Sequence, residues 1–258
     1  MQIDKYEPGV PCWVDLGSPD PQGAAEFYGA LFGWDVPEGP EEAGGYRIAT
    51  VGGLPVAGIG PAQNPGPPVW TTYVDVESAD DTAAKVSAAG GQVVVPPMDV
   101  FEHGRMAVFV DPVGAFFSVW QPGDHPGSQL ANEPGTWGWS ELLTTDLEAS
   151  KTFYGAVFGW GANVQGPGPV GQYTEWQVNG RSVAGMMEKP PMLPAEVPPH
   201  WAVYFVVGDA DAAVARVAEL GGTVLMPPMD IEPGRFSPVT DPTGAVFNVI
   251  ALKSEFTG

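Results

Sequence analysis

A single cysteine, Cys12, in 258 residues leaves no intrachain disulfide to form and fits a reducing compartment. Basic residues are scarce as well: ten Lys and Arg stand against 31 Asp and Glu, a formal net charge of −21. A field of that sign repels phosphates and anionic lipid headgroups, because binding either takes clustered cations. Nucleic acid and membrane surfaces are therefore excluded as expected partners. No apolar run approaches the roughly 18 residues that cross a bilayer, and the N-terminus, MQIDKYEPGV, has no apolar signal segment. A cytoplasmic location is expected. Missing too are a glycine-rich phosphate loop opening a helix, a GxSxG elbow, and any CxxC or HExxH pattern, which leaves nucleotide cofactors and covalent Ser or Cys catalysis without support. No cofactor is expected.

What the chain has in plenty is glycine (35) and proline (29), spread between apolar runs at turn positions, the pattern of many short strands with tight connections. Its most informative stretch occurs twice. FYGALFGW, Phe27 to Trp34, returns as FYGAVFGW, Phe153 to Trp160, identical at seven of eight positions and displaced by 126 residues. The chain thus reads as two copies of one unit, residues 8–122 and 134–253, joined by a linker at 123–133 that lacks apolar periodicity. Each copy is long enough to bury a core of its own.

Within the first copy, Pro11 to Gly17 alternates as a strand with Trp13 and Asp15 on one face. Asp20 caps the helix that follows, with Pro21 in its first turn and Gly33 as a left-handed stop. In the second copy the strand runs from Thr136 to Thr144, and Thr145 with Glu148 forms a capping box. Strands are expected at 46–51 and 55–59, and at 173–178 and 182–187. A second unit then opens at Trp70 and at Trp201. Each runs through an Ala-rich helix ending at a glycine pair, a VVVPPMD or VLMPPMD stretch, and a hairpin turning at DPVG (Asp111 to Gly114) or DPTG (Asp241 to Gly244). The expected fold class is α+β, with four tandem βαβββ units in all. Residues 1–7 are expected to fray.

In this order, and twice over, the strand, aspartate-capped helix ending FYxxxFGW, GR-led strand and DPxG turn resemble the glyoxalase, bleomycin-resistance and extradiol-dioxygenase superfamily of vicinal oxygen chelate proteins. More narrowly, the chain is similar to two-domain actinobacterial members labelled hydroxylases or glyoxalase-like antigens, some of which accompany antibiotic biosynthesis. The resemblance implies two glyoxalase-like domains whose mixed sheets curl into cups around a small molecule. It also implies where metal ligands would stand: Trp13 and Trp139, Thr71 and Ala202, Ser118 and Asn248. Metal sites of this type need converging His, Gln or carboxylate donors, and none of these six residues is a good ligand, so no metal is expected.

Strand parity turns Trp13, Asp15, Thr71, Tyr73, Phe116, Ser118 and Trp120 into the first cup, and Trp139, Glu141, His200, Ala202, Tyr204 and Asn248 into the second. From these come the candidate ligand-binding residues Trp13, Tyr73, Ser118, Trp120, Trp139, Tyr204 and Asn248. Such walls suit a flat, largely apolar small molecule, bound for sequestration or for antibiotic biosynthesis, or they fill the cup as core. The catalytic candidates are Asp15, Glu141 and His200. A carboxylate in an apolar cup is a general acid or base; one paired to the recurring Arg105 or Arg235 is structural, and its presence in both halves favours that pairing. Two alternatives stay open, a metal-assisted enzyme using His200, Glu188 and Glu141, and a scaffold with filled cups. His103 and His125 are expected on the surface, and Cys12 buried away from the cup. The oligomeric state is open, with a monomeric pseudo-dimer compatible with the duplication.

Overall fold

In the computed structural model, which describes residues 1–63, 66–168 and 171–256, the first repeated helix, α1 (Pro21–Phe32), starts where Asp20 Oδ1 accepts from Gly23 N at 3.0 Å and stops at Gly33 with φ 76°. Its copy, α3 (Leu147–Phe158), is capped by Asp146, whose Oδ1 accepts from Ala149 N at 2.9 Å, and ends at Gly159 with φ 71°. The expected Thr145–Glu148 capping box is not used. A carboxylate one residue on is the stronger acceptor at the positive end of a helix, so both copies carry the same cap.

Around these helices the first half forms β1 (Pro11–Ser18), β2 (Arg47–Val51), β3 (Leu54–Pro61), β4 (Val69–Asp75), α2 (Ala79–Ala88), β5 (Gln92–Val100), β6 (Gly104–Val110) and β7 (Phe116–Pro122). The second forms β8 (Trp137–Thr144), β9 (Gly161–Gly168), β10 (Gly171–Val178), β11 (Arg181–Glu188), β12 (His200–Val206), α4 (Ala210–Glu219), β13 (Thr223–Val224), β14 (Met229–Asp230), β15 (Gly234–Thr240) and β16 (Val246–Leu252). The first sheet runs β2-β3-β1-β4-β7-β6-β5, and the second β13-β15-β16-β12-β8-β11-β10-β9 with β14 beside β15. Both are mixed, with β1–β3, β4–β7, β8–β11 and β12–β16 parallel, and neither closes on itself. The α+β class and the tandem βαβββ plan hold, with two irregularities. Strand β9 has only an isolated bridge, Asp35 to Thr50, as its counterpart, because Pro37 and Pro40 fall in that stretch and cannot donate to a ladder. The VLMPPMD segment breaks into β13 and β14, whereas its first-half copy lies within one strand.

The halves do not bury separate cores. One cluster joins Leu16, Phe27, Tyr28 and Trp34 of the first half to Phe205, Val217, Phe247 and Val249 of the second. The other joins Val86, Phe109 and Phe117 to Phe153, Tyr154 and Trp176. Hence each sheet unites two consecutive units, while each core unites units from different halves. The repeated octapeptide makes these crossings. Tyr28 donates to Asp241 Oδ2 at 3.3 Å and Tyr154 to Asp111 Oδ2 at 3.0 Å, so each FYG tyrosine reaches the DPxG turn of the other half. Trp34 Nε1 donates to Gly135 O at 2.6 Å and Trp160 Nε1 to Gly9 O at 2.7 Å. Between the two sheets, Thr72 and Ser140 share a buried hydroxyl–hydroxyl bond of 2.8 Å.

The N-terminus does not fray. Gln2 pairs with Leu130, Ile3 N donates to Gln129 O, and buried Tyr6 donates to Ser128 O. The linker is equally fixed, since Ser128 N donates to Cys12 O and Ser128 Oγ to Val56 O.

Candidate functional site

On the inner face of the first sheet the register sets Asp15 beside Thr71 and Gly58, and Trp13 beside Tyr73, which in turn flanks Ser118. Tyr46 enters from the edge. Its ring crosses β3 above Gly58 and Gly60, where a Cβ at Gly58 would overlap the tyrosine hydroxyl. These strand glycines exist to let that ring lie flat on the sheet. The result is a chain of hydrogen bonds: Trp13 Nε1 donates to Tyr46 OH at 3.0 Å, and Tyr46 and Tyr73 both donate to Asp15 Oδ2, at 3.2 and 2.9 Å. Asp15 Oδ1 makes no hydrogen bond among the described residues.

The second half repeats the design with one methylene more. Tyr204 donates to Glu141 Oε1 at 3.0 Å, Trp139 Nε1 to Tyr173 OH at 3.0 Å, and Tyr173 rests on Gly185. Burial raises both carboxyls above the ordinary range, against the pull of their tyrosine donors; Asp15 is pushed up to about 6. Neither is neutralised by arginine. Arg105 pairs with Asp80 and Asp99, and Arg235 with Asp211 and Asp230, all outside the cups. The expected structural pairing is thus replaced by a carboxylate held by two phenols.

His125 is not on the surface. Its ring stands edge-on to Trp13, centroids 4.6 Å apart, and lies 5.8 Å from Trp120, whose Nε1 donates to His125 O at 2.8 Å. Burial lowers its pKa to about 4, so it is neutral near pH 7, and its Nε2 is buried without a partner. His103, by contrast, is exposed and paired with Asp124 at 2.7 Å. Cys12 is buried as expected, but among Tyr6, Trp13, Tyr73 and Trp120, under the first cup, because a register shift between Pro11 and Trp13 interrupts the alternation. Much of the aromatic lining is packed on itself, with Trp13, Tyr73 and Trp120 all buried.

At the same end of the cup Asp75, next to Trp120 in register, is buried with Oδ2 unpartnered, and burial raises its pKa from 3.8 to about 7. A carboxyl whose folded pKa lies above its unfolded one binds a proton more tightly when folded. The fold is therefore expected to lose stability as pH rises from about 4 to about 7. Asp75→Asn should remove about 2–4 kcal/mol of that loss, seen as a higher urea midpoint than the parent at pH 8 and a similar one at pH 4; equal gains at both pH values would refute it.

These features sit on a widely shared scaffold. A model of the "Glyoxalase/Bleomycin resistance protein/Dioxygenase superfamily" matches residues 12–119 and again 137–249. The chain belongs to this superfamily. Its relatives include CFP32 of Mycobacterium bovis, 42% identical over 254 residues that cover 95% of this chain and 96% of that protein. The anthracycline biosynthesis protein DnrV of Streptomyces peucetius is 39% identical over 270 residues, covering 98% and 97%. Among solved structures, the Mn(II)-bound glyoxalase of Novosphingobium aromaticivorans superposes with a TM-score of 0.66 at 19% identity, over 95% of this chain and 83% of that one. At such identity the likeness is one of fold.

The positions at which the superfamily resemblance puts metal ligands do not fit a divalent cation here. Trp13 and Trp139 point N–H donors that are already used, Ala202 has no donor atom, and Asn248 Nδ2 is turned to Val203 O at 3.3 Å. The Thr71 and Ser118 hydroxyls in one cup and the Asn248 amide oxygen in the other remain, and alone they are feeble ligands. Among the described residues no three His, Cys, Asp or Glu side chains are grouped to hold a metal ion. The rearranged set of His200, Glu188 and Glu141 is not brought together: Met187 and Gly185 face the cup, which places Glu188 on the opposite, exposed face. His200 sits at the rim with Nδ1 2.9 Å from Pro198 O. No helix among the described residues is long and apolar enough to cross a membrane.

Three members of the site, Tyr46, Tyr173 and His125, are absent from the sequence-based lining. The tyrosines carried a usable signal, since each stands at the start of an equivalent strand in both copies, followed by a VAG tripeptide whose glycine is the one they cover. His125 carried none, because the linker has no counterpart in a second copy.

Proposed function

We propose that the protein binds a small, planar aromatic metabolite in an aromatic-lined cup that uses a tyrosine-held carboxylate where metal-dependent members of the superfamily use an ion, and that it serves sequestration or antibiotic biosynthesis. The observation that carries this reading is Asp15, with Oδ2 taken by Tyr46 and Tyr73 and Oδ1 left without a partner among the described residues. A carboxylate so placed accepts a hydrogen bond from a ligand hydroxyl. With a pKa of about 6, it also takes up a proton and returns it near neutral pH. The family-wide likeness to the anthracycline biosynthesis protein DnrV supports an aromatic ligand, and the net charge of −21 favours a neutral or cationic one.

Tryptophan fluorescence of the purified protein, titrated with a dihydroxyanthraquinone in the presence of EDTA, tests the proposal. Saturable quenching that EDTA does not change, weakened about tenfold (~1.4 kcal/mol) by Asp15→Asn, is expected. Binding that appears only after Mn²⁺, Zn²⁺ or Fe²⁺ is added would overturn it in favour of metal-dependent chemistry.

A further inference from the structure

The two cups are built alike and finished differently. At the level of the carboxylate the first cup has Gly17 and Gly60; Gly60 lies beneath the Tyr46 ring, whereas a Cβ at Gly17 would meet only Ala62 Cα, at 3.7 Å. In the equivalent places the second cup has Leu143 and Met187, each only 9% exposed, and beneath them Glu141 is 6% exposed. Asp15 is only half-buried. The rim above it is apolar and open to solvent, with Phe116 56% and Val69 54% exposed.

Unsatisfied polarity follows the same division. Five buried side-chain atoms lack a hydrogen-bond partner among the described residues: Asp75 Oδ2, Ser118 Oγ, His125 Nε2, Thr174 Oγ1 and Trp176 Nε1. The last two residues alternate with the cup face of β10, and Trp176 lies in the core shared between the halves. The other three belong to the first cup. Their second-cup counterparts are either apolar or satisfied. Val206 replaces Asp75, Asn248 replaces Ser118 and donates to Val203 O, and nothing replaces His125. The second cup does leave part of Trp139 uncovered, but among the described residues none of its fully buried side-chain polar atoms lacks a partner. Native interiors rarely leave such atoms unpaired, and each one costs stability until something satisfies it. Three in one cup and none in its twin is the distribution expected when only one cup has a ligand to supply the missing bonds.

We infer that the first cup alone takes the ligand, with Asp15 as the anchor at its mouth and Ser118 and His125 beneath it as the groups that the ligand's polar substituents satisfy, the second cup being a structural twin. The inference rests on the metabolite-binding reading above and narrows it. The ligand class is a flat ring system with hydroxyl or carbonyl groups at opposite edges: a donor for Asp15 Oδ1 at one, and a group for the Ser118 hydroxyl and the neutral imidazole at the other.

Calorimetric titration with the same dihydroxyanthraquinone decides the matter. The expected result is one site per chain, with affinity reduced at least tenfold by Gly17→Leu, which copies the second cup's closure, and several-fold by Ser118→Ala, which is small enough to leave the fold intact. Two sites per chain, or one site indifferent to both substitutions, would overturn the single-cup inference while leaving the metabolite-binding reading standing. No heat of binding to the parent protein would overturn both.

Discussion

Replacing Asp111 by alanine is expected to lower the free energy of unfolding by about 3–5 kcal/mol, measured as a fall in the denaturant midpoint at constant slope. The buried carboxylate accepts from Val113 N, Gly114 N and Ala115 N on Oδ1, at 2.9, 2.7 and 2.9 Å, and from Tyr154 OH on Oδ2 at 3.0 Å. Alanine takes the side-chain acceptor from three turn amides, of which Gly114 N keeps the Asp111 carbonyl at 3.1 Å, and leaves the buried Ala115 N and the Tyr154 hydroxyl with no acceptor. Tyr154→Phe removes the cross-half contact together with the bond that Trp201 Nε1 donates to the same hydroxyl at 3.0 Å, and should cost about 1–3 kcal/mol. A double-mutant cycle separates the turn from the crossing. Asp241 is the copy of Asp111 in the other half, so Asp241→Ala should fall in the same range. A loss below 1 kcal/mol for both aspartates would show that the turns hold without them.

Larger still is the expected effect of separating the halves. Residues 8–122 made alone should show no cooperative unfolding transition as a monomer, because Leu16, Phe27, Tyr28, Phe109 and Phe117 would lose the second-half partners that bury them. The apolar outer face of the sheet would then be exposed, and such faces drive self-association. Mixing this fragment with residues 134–253 should restore a cooperative transition. A monomeric fragment with a sharp melt and fixed aromatic side chains by near-ultraviolet circular dichroism would contradict the shared-core description.

That sharing is the part of the fold that alternation could not reveal. Period two along β1 separates Val14 and Leu16 from Trp13 and Asp15, but it does not tell which sheet the apolar face meets. Both a covering helix and a neighbouring half satisfy the same pattern. Repeat register fared better, since it placed Asp15, Glu141 and the DPxG turns at equivalent points, and those points proved to be chemically equivalent. Where the two copies diverge, the sequence was silent. Gly17 against Leu143 and Gly60 against Met187 look like ordinary variation until the sheet brings them beside the carboxylate. His125 belongs to a stretch with no periodicity at all, and the hydrogen bonds of Gly123 and His125 to His103 O, with that of Trp120 Nε1 to His125 O, carry it onto the indoles. Asp146 displaced the expected Thr145 cap for a local reason, charge at a helix start, which sequence rules rank but do not always order.

Tracing the contacts from unit to unit gives a closed circuit: first to second by the β1–β4 pairing, second to third through the Phe117–Tyr154 core, third to fourth by β8–β12, and fourth back to first through Phe247 and Tyr28. In a circuit no member is terminal, so no unit can be deleted without stripping two others. A gene duplication that yields such an arrangement frees one cup to lose its ligand while forbidding the loss of its polypeptide. The second half is then indispensable to the fold whatever its own cup binds, and Leu143 and Met187 can fill its interior without opening the circuit.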